Sequence, residues 1–372
     1  MQVTSKTDWR LKSLVLIAIT LFMVLATTIQ AHGQKFTTFN VPGSGPGPLQ
    51  GTWAIGVNPL GAVVGQYIDA GGVYHAFLRR PNGKVVKFDP AGSKSTWAYA
   101  LNEKGMVAGW FADGRQVCHG FVRDVDGTIT TFDPPGAGRR LGQGTWPGDI
   151  NNAGMIAGYY VDKGDVYHGF VRDSGGNFVS FDAPGAGTGR GQGTQPMFFS
   201  AMNSIGTITG VYIDANNAMH GFLRTPEGLI KSIDVLGAGT GANQGTESFS
   251  VNKWGQVTGP YIDGNGLNHG FVRNADGLIT TFDVDRAGTG KGQGTLPQSN
   301  NRHGALTGYY IDANGASHGF VRGSGGAITV LNAPGAGAGA NQGTFPMSNN
   351  RKGAIAGYVI DASGVYHGFI WK

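Results

Sequence analysis

The chain has 372 residues, of which 66 are glycine and 14% are charged, with only three glutamates, Glu103, Glu227 and Glu247. That is long enough for a sizeable core and poor in helix formers, so an all-β protein of many short strands and turns is expected. The formal charge of +5 comes from scattered basic residues; without a basic run, a nucleic-acid partner is disfavoured.

At the N-terminus, Lys6, Arg10 and Lys12 precede an apolar run from Leu14 to Ala26 and the small residues Ala31 and Gly33. This is the order of a secretory signal, with cleavage near Gly33 or Gln34, so residues 1–33 are read as a signal peptide and 34–372 as a single domain. The chain would be secreted, periplasmic or held at the cell surface. A membrane role arises only if the segment stays uncleaved, and the apolar run is short of the roughly 20 residues of a spanning helix. Loss of three cations and Asp8 from a formal +5 leaves +3. Cys118 stands alone, so stability outside the cell must come from packing; it reads as a small buried apolar residue.

From there one sentence is written seven times. An Asn (Asn58, Asn102, Asn151, Asn203, Asn252, Asn301, Asn350) precedes a His (His75, His119, His168, His220, His269, His318, His367) by 17 residues. An Asp (Asp69, Asp113, Asp162, Asp214, Asp263, Asp312, Asp361) stands six residues before each His. A fixed period dictates architecture before anything else. In the third copy the strands are expected at Thr145 to Ile150 (a), Met155 to Val161 (b), Tyr167 to Arg172 (c) and Phe178 to Phe181 (d). The Asn-x-x-Gly turn separates a from b, and a tight hairpin joins b to c.

Thirteen residues past the His lies the apolar end of strand d: Phe88, Phe132, Phe181, Ile233, Phe282 and Leu331. The seventh copy ends at Lys372 before its d strand, and the missing strand stands at the other end, where Lys35 to Asn40 matches Ile-Thr-Thr-Phe-Asp. Splitting a repeat across the termini suits a ring, which then has no free edge. The pattern predicts a seven-bladed β-propeller of four-stranded blades, closed by the N-terminal strand completing the last blade. A β-helix or a kelch-like ring with another blade count is the alternative.

From the end of d to the next Asn the separations are 18, 13, 18, 21, 18, 18 and 18 residues. This variation reads as loops between blades, on the same face as the b–c turns, and loops on a rigid scaffold are where binding concentrates. The loops are glycine-rich, as in ProGlyAlaGly at Pro135, Pro184 and Pro334 and GlyAlaGly at Gly237. No helix follows to complete a phosphate site, and their repetition points to a shape requirement.

Seven copies of an Asp and His pair cannot be seven active sites, so the pair reads as a polar staple for each hairpin. Asp263, Asn265 and Asn268 match a calcium loop only loosely, and no residues have zinc spacing; no metal or cofactor is expected.

Positions that break the repeat are better site candidates. Five residues before each Asn stand Trp53, Trp97, Trp146, Phe198, Glu247, Leu296 and Phe345. On an innermost strand they would ring the channel mouth, where aromatic faces could stack on sugars; the other reading packs them between blades. Asp149 replaces Gly56, Ala100, Ala201, Ser250, Ser299 and Ser348, and there it would point into water or a ligand. As a glycosidase pair, Asp149 and Glu247 would need to stand about 5 to 9.5 Å apart, yet they lie two blades apart. No nucleophile motif is present, and no catalytic residue is assigned.

His75-Ala76-Phe77, with His-Gly-Phe in the other six copies, resembles the bacterial extracellular HAF-repeat family over residues 35 to 372. The resemblance implies export and a repeat fold, and carries no activity. The glycine in place of alanine relieves crowding. The expected function is a secreted, non-catalytic monomer binding a polysaccharide or cell-surface component on its loop face. The alternatives are an exported carbohydrate-active hydrolase or lyase with its site at the channel mouth, and a structural envelope protein.

Overall fold

In the third repeat, strands Gly144–Ile150, Ile156–Val161, Tyr167–Arg172 and Phe178–Phe181 pair antiparallel in sequence order. The β-branched and aromatic residues that prefer a half-buried pleat supply them, and the turn residues end them close to the predicted bounds. The computed structural model describes residues 35–372 apart from Phe198 and Phe199. The export segment therefore lies outside the described residues. The described chain is all-β, without a helix, and Phe36–Lys372 form one compact unit.

The other repeats follow the same order, for example Gly51–Val57, Val63–Ile68, Tyr74–Arg79 and Val85–Phe88 in the first. In the last, Gly343–Asn349, Ile355–Ile360 and Tyr366–Trp371 are joined by the N-terminal strand Phe36–Phe39. That strand pairs antiparallel with Tyr366–Trp371, Phe36 opposite Trp371 and Phe39 opposite Gly368.

The repeated Asn does more than turn the chain. The Asn301 Oδ1 accepts from the His303 and Ala305 N–H groups at 2.9 and 3.3 Å, while its Nδ2 donates to the Asn350 carbonyl at 3.2 Å. The same amide-to-carbonyl step runs from Asn58 to Asn102, Asn102 to Asn151, Asn203 to Asn252 and Asn252 to Asn301, and from Asn350 to Asn58 at 2.8 Å. Six repeats are thereby hydrogen-bonded through a buried side chain to the next; in the third, Asn151 Nδ2 meets Met202 Sδ at 3.9 Å instead.

The core lies between successive sheets. The Phe of every His-Gly-Phe (or His-Ala-Phe) is fully buried, from Phe77 to Phe369. Around Phe170 gather Ala108 and Phe132 of the second repeat and Ile156 and Tyr160 of its own. The Arg172 guanidinium stands 4.8 Å above the Phe132 ring, a cation–π contact across the junction. The preceding glycine has a steric cause: a Cβ on Gly169 would meet the Phe181 ring at 2.6 Å.

One expectation is corrected. The three extra residues of the fourth repeat do not lengthen a loop. Gly193–Pro196 pairs with strand b, the ladder resumes only at the Met202–Ile208 bridge, and the insertion lies within inner strand a. In the third repeat the same place holds a single-residue bulge between Pro147 and Asp149. The Ser200 hydroxyl there reaches 3.3 Å from Ser299 Oγ, two repeats away, which puts the a strands innermost.

Candidate functional site

Trp53, Trp97, Trp146 and Phe345 each occupy the third residue of strand a and pair across the sheet with Gln66, Trp110, Tyr159 and Tyr358. Their rings stack on one another. Trp97 lies 3.8 Å from Trp110, Trp146 5.4 Å from Tyr159, and Phe345 5.0 Å from Tyr358. Contacts also cross the junctions: Trp53 stacks on Tyr358 at 5.2 Å and Trp97 on Tyr74 at 4.9 Å. The tryptophans are half-buried and Phe345 buried, so packing between repeats accounts for most of their surface. In the fourth repeat register gives this place to Gln195, opposite Val211; counting back from Asn203 selects Phe198, which lies outside the described residues, because the insertion sits between the two.

Glu247 takes the corresponding place in the fifth repeat, its backbone N–H donating to the Pro260 carbonyl at 2.9 Å. Its side chain is half-buried and, among the described residues, makes no hydrogen bond. Burial pushes its carboxyl up to about 7.

Asp149 does not point into water, contrary to the expectation from its small counterparts. It is buried, its Oδ1 accepting from Ile150 N–H and its Oδ2 from Met202 N–H, both at 2.8 Å. Burial raises its carboxyl to about 6 while these donors oppose the shift. Ser250 and Ser299 do similar work, accepting from Asn300 and Asn349 N–H at 3.1 and 3.4 Å. Asp149 thus joins the third repeat to the fourth.

The staple at each hairpin involves three residues rather than two. Asp69 Oδ1 accepts the Gly71 and Val73 N–H groups of its own turn, and the Val73 bond chiefly holds its carboxyl below the usual range. Its Oδ2 is 3.5 Å from His75 Nε2, whereas His75 Nδ1 is only 2.7 Å from Asp89, fourteen residues on. Asp133, Asp182, Asp234 and Asp283 repeat the closer bond to His119, His168, His220 and His269. Asn332 and Asn40 take the place for His318 and His367, with Asp312 and Asp361 at 3.1 Å from Nε2. Asp162, Asp214 and Asp263 lie at 3.6 to 3.8 Å from their histidines, as does Asp113. The signal was in the sequence, as the Asp or Asn that follows strand d. The calcium-like Asp263 spends Oδ1 on Asn265 and Leu267 N–H.

The glycine-rich linkers are held by their glutamines. Gln192 Oε1 accepts Gly189 N–H at 2.9 Å and its Nε2 donates to the Ala215 carbonyl of the next hairpin at 3.2 Å. A Cβ on Gly187 would lie 2.4 Å from that Oε1, which is the shape requirement in atomic terms. Clefts open where linkers meet hairpins. One of about 490 Å³ lies between Asp113, Arg115, His119 and the linker 133–139, and one of about 750 Å³ between that linker and Tyr160, Lys163 and His168. A third, of about 440 Å³, is lined by Asn40, Pro334, Asp361 and His367.

No family model matches the chain, and no curated protein matches it. Solved structures resemble it in fold. A streptogramin B lyase aligns at 13% identity and TM-score 0.56, over 91% of this chain and 98% of that one. The BP39L lectin from Burkholderia pseudomallei aligns at 10% identity and TM-score 0.53, over 84% and 94%. A puromycin hydrolase mutant aligns at 13% and 0.50, over 83% of this chain and 50% of its own. The chain has a β-propeller-like repeat fold. Lyase, lectin and hydrolase share it, so the fold does not choose among their activities.

Proposed function

We propose that the chain is an exported seven-bladed β-propeller of the HAF-repeat kind, closed by its N-terminal strand, that binds a saccharide or cell-surface partner on its loop face without catalysis. Support for the ring comes from the pairing of Phe36–Phe39 with Tyr366–Trp371 and from the Asn350 to Asn58 bond.

The observation that carries the binding reading is the recurrence of clefts between linker and hairpin, all on one face, lined by histidine, carboxylate and proline. Such mixed polar and apolar concavities suit small polar ligands, and one structure of similar fold is a lectin. The hydrolase or lyase alternative rests on Glu247, whose raised pKa suits a general acid. Its expected partner Asp149 has both oxygens engaged by backbone N–H groups, which favours the non-catalytic reading.

A glycan array and capture of envelope fractions with the chain test this. Retention of a defined subset of saccharides is expected. A blank array with nothing captured sinks the reading, and turnover of a retained sugar that stops on Glu247→Gln would replace it with the enzyme.

A further inference from the structure

The linker 134–143 carries Arg139 and Arg140 where the fourth repeat's linker has Thr188 and Gly189, and Leu141 where that linker has Arg190. The other linkers also lack a side chain at the second position, with Gly47, Gly241, Gly290 and Gly339. The backbone is unchanged by the substitution. Arg140 N–H still donates to Gln143 Oε1, at 3.1 Å, as Gly189 N–H does to Gln192. None of these glycines has positive φ, but a Cβ on Gly189 would stand 2.8 Å from Gln192 Oε1, so arginine at this place crowds the linker glutamine and is not there for the fold.

Both guanidiniums are exposed. The ion pairs of Arg and Lys among the described residues are Arg190 with Asp165 and Arg351 with Glu103, so neither Arg139 nor Arg140 is paired, and neither are Arg115 and Lys163 on the facing hairpins. The carboxylates nearby are already occupied. Asp113 Oδ1 accepts two N–H groups of its turn, and Asp133 Oδ2 accepts from His119.

A second break deepens the place. The linker before the second repeat is five residues shorter than most and lacks the glutamine that elsewhere bonds the next hairpin; Lys94 stands beside the Asp113 turn there, its Cε 3.7 Å from where a Cβ on Gly114 would lie. Arg139 lines the clefts on both sides of its linker.

We propose that these paired clefts form a binding site for an acidic saccharide, with Arg139 and Arg140 gripping a sugar carboxylate. This rests on the saccharide-binding reading above and names its site and ligand class. Guanidinium forks match carboxylates in two-point geometry. Pro135, exposed on the linker and lining the first cleft, offers apolar surface for a ring face. The spare lone pairs of Asp133 and Asp162 accept sugar hydroxyls while repelling a bare anion, so the mixed lining favours a polyhydroxylated acid over free phosphate.

The test is calorimetric titration of the full chain with tetragalacturonate, with a neutral galactotetraose and with inorganic phosphate. The native chain is expected to bind the uronate at least about tenfold more tightly than either other probe, and Arg139→Thr with Arg140→Gly to lose about tenfold or more, the worth of a charged hydrogen bond. Both substitutions copy other linkers, so the thermal midpoint should hold, and Lys291→Gly in the sixth linker should bind as the native chain does. Uronate affinity unchanged in the double variant, absent uronate binding, or phosphate binding as tightly as the uronate would each overturn the assignment. Neutral sugars bound equally by native and double variant would defeat this cleft while leaving the broader saccharide-binding reading standing.

Discussion

At the residue scale, the repeated sentence is a set of packing and hydrogen-bonding instructions. Gly169 is glycine because Phe181 occupies the space of its Cβ; Gly169→Ala is expected to cost about 1–3 kcal/mol by overpacking, read by urea denaturation. Asp149→Ala strands the buried Met202 N–H and is expected to cost about 1–3 kcal/mol, without the loss of binding that a ligand contact would show. Glu247 gives the pH dependence. Its folded pKa is raised above the unfolded value, so its cost is absent below the unfolded pKa and complete above about 7. Glu247→Gln should therefore raise the melting temperature more at pH 8 than at pH 5; an equal rise at both would mean that the carboxylate is not desolvated. The role of Asp149 was illegible because its partner lies 53 residues away in a repeat whose inner strand is irregular.

At the scale of elements, strand bounds in the third repeat were legible nearly to the residue, since alternating β-formers and the Asn-x-x-Gly and Asp-Lys-Gly-Asp turns act locally. What joins the elements was not. The Asn of each turn looked like turn chemistry alone, yet Asn301 also bonds the next repeat's backbone from a buried position. Asn301→Ala removes three bonds and should cost about 3 kcal/mol by chemical denaturation, against a few tenths for an ordinary turn residue. The fourth repeat shows the limit of counting. Three extra residues moved the ring position from Phe198 to Gln195, and only cross-strand register reveals it. Trp53, Trp97, Trp146 and Phe345 share one register position on strand a, while the stacking on Trp110, Tyr159 and Tyr358 depends on neighbours that strand b supplies.

At the scale of the whole molecule, the division of labour follows from symmetry. Residues that keep the repeat bond one sheet to the next; of those that break it, Asp149 is bound into the same framework, whereas Arg139 and Arg140 are exposed. The proposed ring makes a further demand. Deleting residues 36–40 removes the partner of Tyr366–Trp371 and exposes an unpaired edge, which invites aggregation; a sharp fall in soluble yield and melting temperature is expected, and an unchanged melting temperature would argue against closure. The face on which ligand sits is the claim on which the functional reading depends. Hydrogen exchange on the chain with and without its retained saccharide addresses it directly. Protection should gather in the linker 134–143 and the hairpin turns 113–117 and 162–166, whereas protection at the Asn-x-x-Gly turns of the opposite face, or no retained saccharide to measure, would contradict it.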